Sequence, residues 1–255
     1  MTILSGVYIF LFYAAMAILV FGLAYRIRLY ARTPAPLKIV TTPAPTTQAG
    51  VVMRMTREVV LFESLFKSSK WTWIFGWLFH VSLLLAFFRH LRYAISPDFF
   101  IWPLINLEIV QSFGKYAGFG MAIGLGGLIA RRLLVDRVRY ISSPSDHLML
   151  LLILSIALTG LSMSFVSPVD IVSLKMFVLG LFYFDWQPLP NSLLLISHLT
   201  LVLILAIIFP ISKLLHAPGV FFSPTRNQVD NAREKRHLAP WAAKLDATRN
   251  GSGTR

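Results

Sequence analysis

Apolar residues fall along the chain in blocks too long and too continuous for a soluble core. A helix that crosses a hydrocarbon layer about 30 Å thick needs about 20 apolar residues. Five stretches reach that length: roughly 3–25, 71–95, 112–130, 147–166 and 192–215. A sixth run, Ile171 to Phe184, is too short to span and carries Lys175. It predicts a helix lying at the membrane interface or packed on the bundle. The pattern therefore predicts an all-α membrane protein: a bundle of five transmembrane helices with a short non-spanning helix near 171–184. The first stretch has no basic segment before it and is long for the apolar region of a signal peptide, so it reads as a retained span.

Between the blocks the chain is polar. Residues 33–50 (TPAPLKIVTTPAPTTQAG) are rich in Pro and Thr and predict an extended loop. The division expected is a transmembrane domain over 1–216 and a tail over 217–255. The tail contains Phe221, Phe222 and Trp241, side chains that are costly to leave exposed. It reads either as a solvated tail or as a strip that docks a partner.

Charge sets the expected orientation. Residues 26–70 hold eight Lys and Arg, residues 131–146 four and the segment from Lys213 onward eight, so one side carries twenty. The other side carries four: Arg89, Arg92, Lys115 and Lys175. Basic residues accumulate on the cytoplasmic side. The N-terminus is thus expected outside (periplasmic) and the C-terminus in the cytoplasm, in a bacterial or archaeal cytoplasmic membrane. The net charge of +13 is accounted for in this way, without nucleic acid. Only 14% of residues are charged, against about 25% in a soluble domain. That excludes a disordered chain and most soluble enzymes. With no cysteine, disulfides, zinc ribbons, cysteine-held iron–sulfur clusters and covalent c-type haem are excluded too.

Six histidines remain as candidate ligands. Ionisable groups inside a bilayer are costly and usually functional. His80 and His90 lie on the second span; His198 and His216 lie on and at the end of the fifth. On a continuous helix, eighteen residues return to one face and ten stay broadly on one side. The second span runs outward and the fifth inward, so His80 faces His216 and His90 faces His198. Two stacked bis-histidine sites follow, and neutral imidazole is a good axial ligand for haem iron. Gly118, Gly120, Gly124, Gly126 and Gly127 would let a macrocycle or a neighbouring helix come close. The depths match imperfectly, because His216 sits at the end of its span while His80 lies about nine residues into its own. Tilt, a longer fifth helix or a kink at Pro210 would absorb the difference. The other readings are histidines satisfied by interhelical hydrogen bonds, or a proton relay. A zinc site has no carboxylate or thiol beside these histidines to complete it. His147, after Asp146, reads as a helix-start residue, and His237 in the charged tail as solvated.

The histidine spacings and the inner segment RRLLVDRVRYISSPSDHLMLLL resemble the membrane gamma subunit of respiratory nitrate reductase, a dihaem cytochrome b, from about residue 1 to 216. Over most of the length, the segments GWLFHVSLLLAFFRHLRY, SFGKYAGF, ARRLLVDRVRYISSPSDHLMLL, FDWQPLP and FPISKLLHAPGVFFSPTRNQVDNAREKRHLAPWA resemble more closely the DsrM-type cytochrome b subunit. That subunit belongs to the dissimilatory sulfite-reduction-associated membrane complex.

The resemblance implies two b haems: an inner one on His80 and His216, an outer one on His90 and His198. It implies electron exchange between menaquinone or ubiquinone and a cytoplasmic iron–sulfur partner like heterodisulfide reductase. It also implies further subunits, among them a periplasmic multihaem cytochrome c. Lys115 stands where the nitrate reductase subunit has a lysine near the distal haem, which makes it a candidate quinone-site residue together with Arg89 and Arg92. Arg131 and Arg132 are candidates to pair haem propionates, or are basic anchors only. The chain reads as an electron-transfer subunit of a quinone-linked oxidoreductase complex. The alternatives are a histidine-relay transporter and a haem-free membrane anchor.

Overall fold

Serine caps open two of the apolar blocks, Ser69 before residue 70 and Ser192 before residue 193. In the computed structural model, which describes residues 2–33, 40, 42–231 and 240–251, the helices are α1 (Ile3–Arg32), α2 (Gln48–Val60), α3 (Glu63–Ser68), α4 (Lys70–Ala94) and α5 (Trp102–Ile105). They continue with α6 (Glu108–Leu134), α7 (Asp136–Ile141), α8 (Pro144–Phe165), α9 (Ile171–Tyr183), α10 (Leu193–Ile208), α11 (His216–Gly219), α12 (Pro224–Asn227) and α13 (Pro240–Gly251). No strand occurs among the described residues. Among the described residues, five helices are long and apolar enough to cross a membrane: Ile3–Arg32, Lys70–Ala94, Glu108–Leu134, Pro144–Phe165 and Leu193–Ile211. The protein is a multi-pass integral membrane protein, all-α, as the apolar pattern predicts.

Three differences from that pattern have local causes. The first helix runs on to Arg32, because basic residues at a helix end do not stop a helix. Within the 33–50 stretch, residues 42–47 are non-helical, and Thr47 then caps α2 by accepting from Gly50 N at 3.1 Å; residues 34–39 and 41 lie outside the described residues. The fifth span is α-helical only to Ile208. Pro210, which has no N–H to donate, sits in a 3₁₀ turn (Phe209–Ile211), and a second such turn (Lys213–Leu215) precedes His216. His198 and His216 therefore do not share one regular helix, and the eighteen-residue face argument does not apply to them. The break at Pro210 is what ends the regular helix before His216.

The described residues divide into two units, 1–25 with 62–214 and 26–61 with 215–255. The first contains most of the bundle. α4 and α6 pack closely because α6 turns glycines toward its neighbour. A Cβ on Gly124 would stand 2.8 Å from Phe75 O and 2.9 Å from Phe79 N, and one on Gly120 or Gly127 would collide with Ser82 or the Phe75 ring. Gly118 faces Leu161 of α8 in the same way. Phe79, Met121, Leu125, Ile153 and Ala157 form a buried cluster across α4, α6 and α8.

A second cluster joins Ile9, Phe177, Leu181, Leu189 and Leu195. The non-spanning helix α9 is thus packed on the bundle, with Asp170 capping it through Val172 N and Ser173 N at 3.0 and 3.3 Å. The Ser173 hydroxyl and amide hold the Asp170 carboxyl below its usual range. Lys175 lies 4.6 Å from the centre of the Trp102 ring. α1 is fastened by Tyr8 to Thr200 at 2.5 Å, by Tyr13 donating to Leu181 O at 2.6 Å, and by Ser5 accepting from Leu189 N at 3.0 Å.

One acidic group ties three helix ends together. Asp146, 6% exposed, accepts from Ser143 N at 3.0 Å, which caps α8. Its carboxylate also pairs with Arg132 at the end of α6 (3.2 Å) and with Lys213 beyond α10 (2.5 Å).

In the second unit Arg226 pairs with Glu58, Asp230 N donates to Pro45 O at 2.9 Å, and Tyr30 meets Phe222 with ring centroids 5.9 Å apart. One tail aromatic is thus packed, while Phe221 and Trp241 are exposed. His237 lies outside the described residues.

Gly124→Ala should destabilise the folded protein in detergent by about 1–3 kcal/mol, since backbone atoms stand in the way. Gly126→Ala, where a Cβ meets nothing within 4 Å, should be neutral or slightly stabilising by thermal unfolding. Asp146→Asn should cost about 1–3 kcal/mol, because Arg132 and Lys213 lose a buried anionic partner. The same unfolding assay measures it.

Candidate functional site

A histidine ring in an apolar bundle has two nitrogens to account for. His90 on α4 places Nδ1 2.6 Å from Ala86 O, and His80 places Nδ1 2.7 Å from Gly76 O, each one turn back on its own helix. A carbonyl only accepts, so Nδ1 carries the proton in both rings. The lone pair is then on Nε2, the tautomer that a metal ligand needs.

His198 reaches the same state by another route. Its Nδ1 is 2.9 Å from Thr159 Oγ1 of α8. The single hydroxyl proton of Thr159 is directed to its own helix, with Ser155 O at 2.8 Å and Ile156 O at 3.0 Å. The hydroxyl therefore accepts from His198 Nδ1, and His198 Nε2 also holds a lone pair. Gly160 borders the ring: a Cβ there would stand in ordinary contact, 3.4 Å from His198 Cε1.

The structure brings His90 and His198 together. Their ring centroids lie 6.4 Å apart with planes 12° from parallel. His198 is 9% exposed and His90 keeps an exposed surface. Two imidazoles bound to one iron from opposite sides need about this spacing. Metal–imidazole bonds of about 2.0 Å, plus about 1.1 Å from each nitrogen to its ring centre, place the centroids about 6 Å apart. Among the described residues no group of three or more His, Cys, Asp or Glu could hold a metal ion. A pair of imidazoles suits a metal whose other positions are filled by a macrocycle, as haem fills four of iron's six.

His80 and His216 fall in different units. His80 lies mid-helix on α4, with the Phe62 and Phe79 rings edge-on at 5.0 and 4.9 Å. Phe62 holds a left-handed backbone (φ 52°), a strained conformation for an aromatic residue, at the start of α3. His216 opens α11. His147 is in the first turn of α8, as a helix-start residue.

The basic candidates are engaged within the protein. Arg89 donates to Gln111 O, and Arg92 donates to Gln111 Oε1 at 3.0 Å. Gln111 Nε2 donates in turn to Ile105 O at 2.8 Å. Lys115, one turn further along α6, is exposed and lies 5.5 Å from the Phe165 ring centre. Arg132 is shared between Asp146 and Ser142 Oγ (2.8 Å), while Arg131 is half-buried beside it.

Four residues here escape sequence reasoning: Thr159, Gly160, Gln111 and Phe62. Only Asp146 had a signal, the Ser143–Pro–Ser–Asp146 spacing that precedes an apolar run.

Comparison with known proteins agrees with the resemblance carried by the histidine-bearing and inner-loop segments. Two curated proteins described as "Hdr-like menaquinol oxidoreductase cytochrome b-like subunit" are similar to this chain. The one from Archaeoglobus fulgidus is 34% identical over 269 residues, covering 90% of this chain and 81% of the relative. The one from Archaeoglobus profundus is 34% identical over 282 residues, covering 93% and 83%. Residues 48–232 match the family described as nitrate reductase gamma subunit, and the chain belongs to that family.

Proposed function

We propose that this protein is a dihaem cytochrome b subunit. In this reading it passes electrons between the membrane quinone pool and a cytoplasmic iron–sulfur partner of heterodisulfide-reductase type, in dissimilatory sulfur metabolism. The observation that carries the reading is the His90–His198 pair: near-parallel rings 6.4 Å apart, with a lone pair on each Nε2. The names of the two relatives support the quinone link and point to menaquinol as the donor.

Bound between paired imidazoles, haem supplies one-electron redox chemistry across the bilayer. The chain's own residues do the rest. His90 and His198 hold the outer haem; His80 and His216 hold the inner one. Ala86 O, Gly76 O and Thr159 fix the ring tautomers of three of them. Gln111 holds Arg89 and Arg92 at the end of α4, where they present positive charge to haem propionates or to a quinone oxygen. Lys115 donates a hydrogen bond to the quinone and takes up or delivers its proton. Arg131 is the inner propionate candidate, because Arg132 already serves Asp146. With twenty basic residues on one side, the C-terminal segment and inner loops face the cytoplasm and the iron–sulfur partner.

A proton relay would need both ring nitrogens in a chain of exchangeable groups. His80 and His90 instead commit Nδ1 to main-chain carbonyls.

Pyridine haemochrome analysis of the purified, folded protein should give two b haems per chain. His90→Ala and His198→Ala should each remove one, and His80→Ala and His216→Ala should each remove the other, in reduced-minus-oxidised spectra. A wild-type sample without haem, after expression with haem supply, overturns the proposal. Lys115→Ala should lower kcat/KM for a menaquinol analogue roughly tenfold or more, with both haems retained. Unchanged quinol kinetics would leave Lys115 at the interface only.

A further inference from the structure

The three candidate ligand histidines on spanning helices, His80, His90 and His198, are not oriented alike. His80 and His90 satisfy Nδ1 on the carbonyl four residues back, a contact that any helix supplies and no substitution removes. His198 satisfies Nδ1 on a side chain from a different helix, Thr159 of α8. That hydroxyl is itself pinned to Ser155 O and Ile156 O. The adjacent Gly160 faces the same imidazole, where an added Cβ would reach ordinary contact with Cε1 at 3.4 Å. Thr159 thus fixes the tautomer and turn of the ring, in a cradle that Gly160 borders. Within it His198 is buried, at 9% exposure.

We propose that Thr159 is the positioning residue of the outer haem and sets its redox potential through His198. The proposal rests on the assignment of His90 and His198 as axial ligands. A hydrogen bond from Nδ1–H raises the basicity of the imidazole and orients it toward the metal, and losing such a bond typically costs 10–100-fold in metal affinity. A more basic ligand favours ferric over ferrous iron and so lowers the potential. The hydroxyl of Thr159 therefore keeps the outer haem's potential lower than an unsupported His198 would. The inner haem has no ligand held in this way by Thr159, so the effect is confined to one of the two.

The test compares wild type with Thr159→Val, which keeps the shape and removes the hydroxyl, and Thr159→Ser, which keeps the hydroxyl. Each full-length protein is examined by haemochrome quantitation, by optical redox titration and by low-temperature EPR of the ferric haems. In Thr159→Val the potential of one haem should rise, its low-spin EPR signal should shift, and its retention through purification should fall by 10–100-fold in affinity. The other haem should titrate as in wild type. Thr159→Ser should restore the wild-type values. If Thr159→Val does not accumulate, Thr159→Ala against Thr159→Ser makes the same comparison. Two haems with unchanged potentials and EPR signals in the hydroxyl-free variant overturn the positioning role while leaving the haem assignment standing. Equal shifts of both haems also overturn it, because they report a general loosening of the bundle. A wild-type protein without haem overturns both, and the wild-type spectrum alone identifies that case.

Discussion

A polar ring nitrogen in a bilayer must find a partner inside the protein, and the arrangement of this bundle follows from how that need is met. A helical backbone has its carbonyls engaged along the axis, yet a carbonyl oxygen has two lone pairs. His80 and His90 use the second lone pair of Gly76 O and Ala86 O. This local solution costs no additional helix and fixes the proton on Nδ1. His198 takes its partner from α8, so its satisfaction requires α8 and α10 to stay in register. A ring so held presents its second nitrogen in one direction only, so meeting the need for a partner also fixes where that nitrogen can act.

Glycine plays the complementary part. Lipid-facing and protein-facing surfaces are equally apolar, so helices in a bilayer associate through close packing and polar contacts. On α6 the glycines at 114, 120, 124 and 127 all face α4, while Gly118 faces α8 and Gly126 faces open space. The sequence reading offered two uses for this glycine run, room for a macrocycle or for a neighbouring helix. At four of the five positions it named, all but Gly126, the space is filled by neighbouring side chains or backbone. The fit of α4 against α6 then places His90 at the end of α4 nearer Arg89, Arg92 and Gln111, and His80 near its middle.

Much of this was legible in the residue order. Span number followed from apolar length, because length is the one requirement a bilayer imposes on every crossing helix. The His90–His198 pairing followed from spacing and orientation, and the ring geometry supports it. What spacing missed has physical reasons. The face relation of His198 and His216 presupposed a continuous helix, and Pro210 ends it. Thr159 was one hydroxyl among several in a leucine-rich segment, and nothing in its neighbours marks it, since its partner is 39 residues away. Gln111 was invisible for the same reason: its partners come from α4 and α5. The helices α2 and α3 lay hidden behind a Pro- and Thr-rich stretch, because they are too short and too mixed in polarity to register as apolar blocks.

The absence of cysteine and of any three-ligand cluster among the described residues constrains the chemistry further. A metal held wholly by protein needs three or four ligands converging from several elements. A macrocycle brings its own four, so a bundle has only to supply opposed imidazoles, one from each of two helices. The chain after Ile208 continues in two 3₁₀ turns, so His216 does not follow the helical repeat that carries His198. Asp146 supports the same design from the other side. By pairing with Lys213 it anchors the chain three residues before His216, and by pairing with Arg132 it ties that anchor to the end of α6. The helix break and the buried carboxylate meet at Lys213: the break takes the chain out of the helical repeat, and the carboxylate holds Lys213 at the ends of α6 and α8.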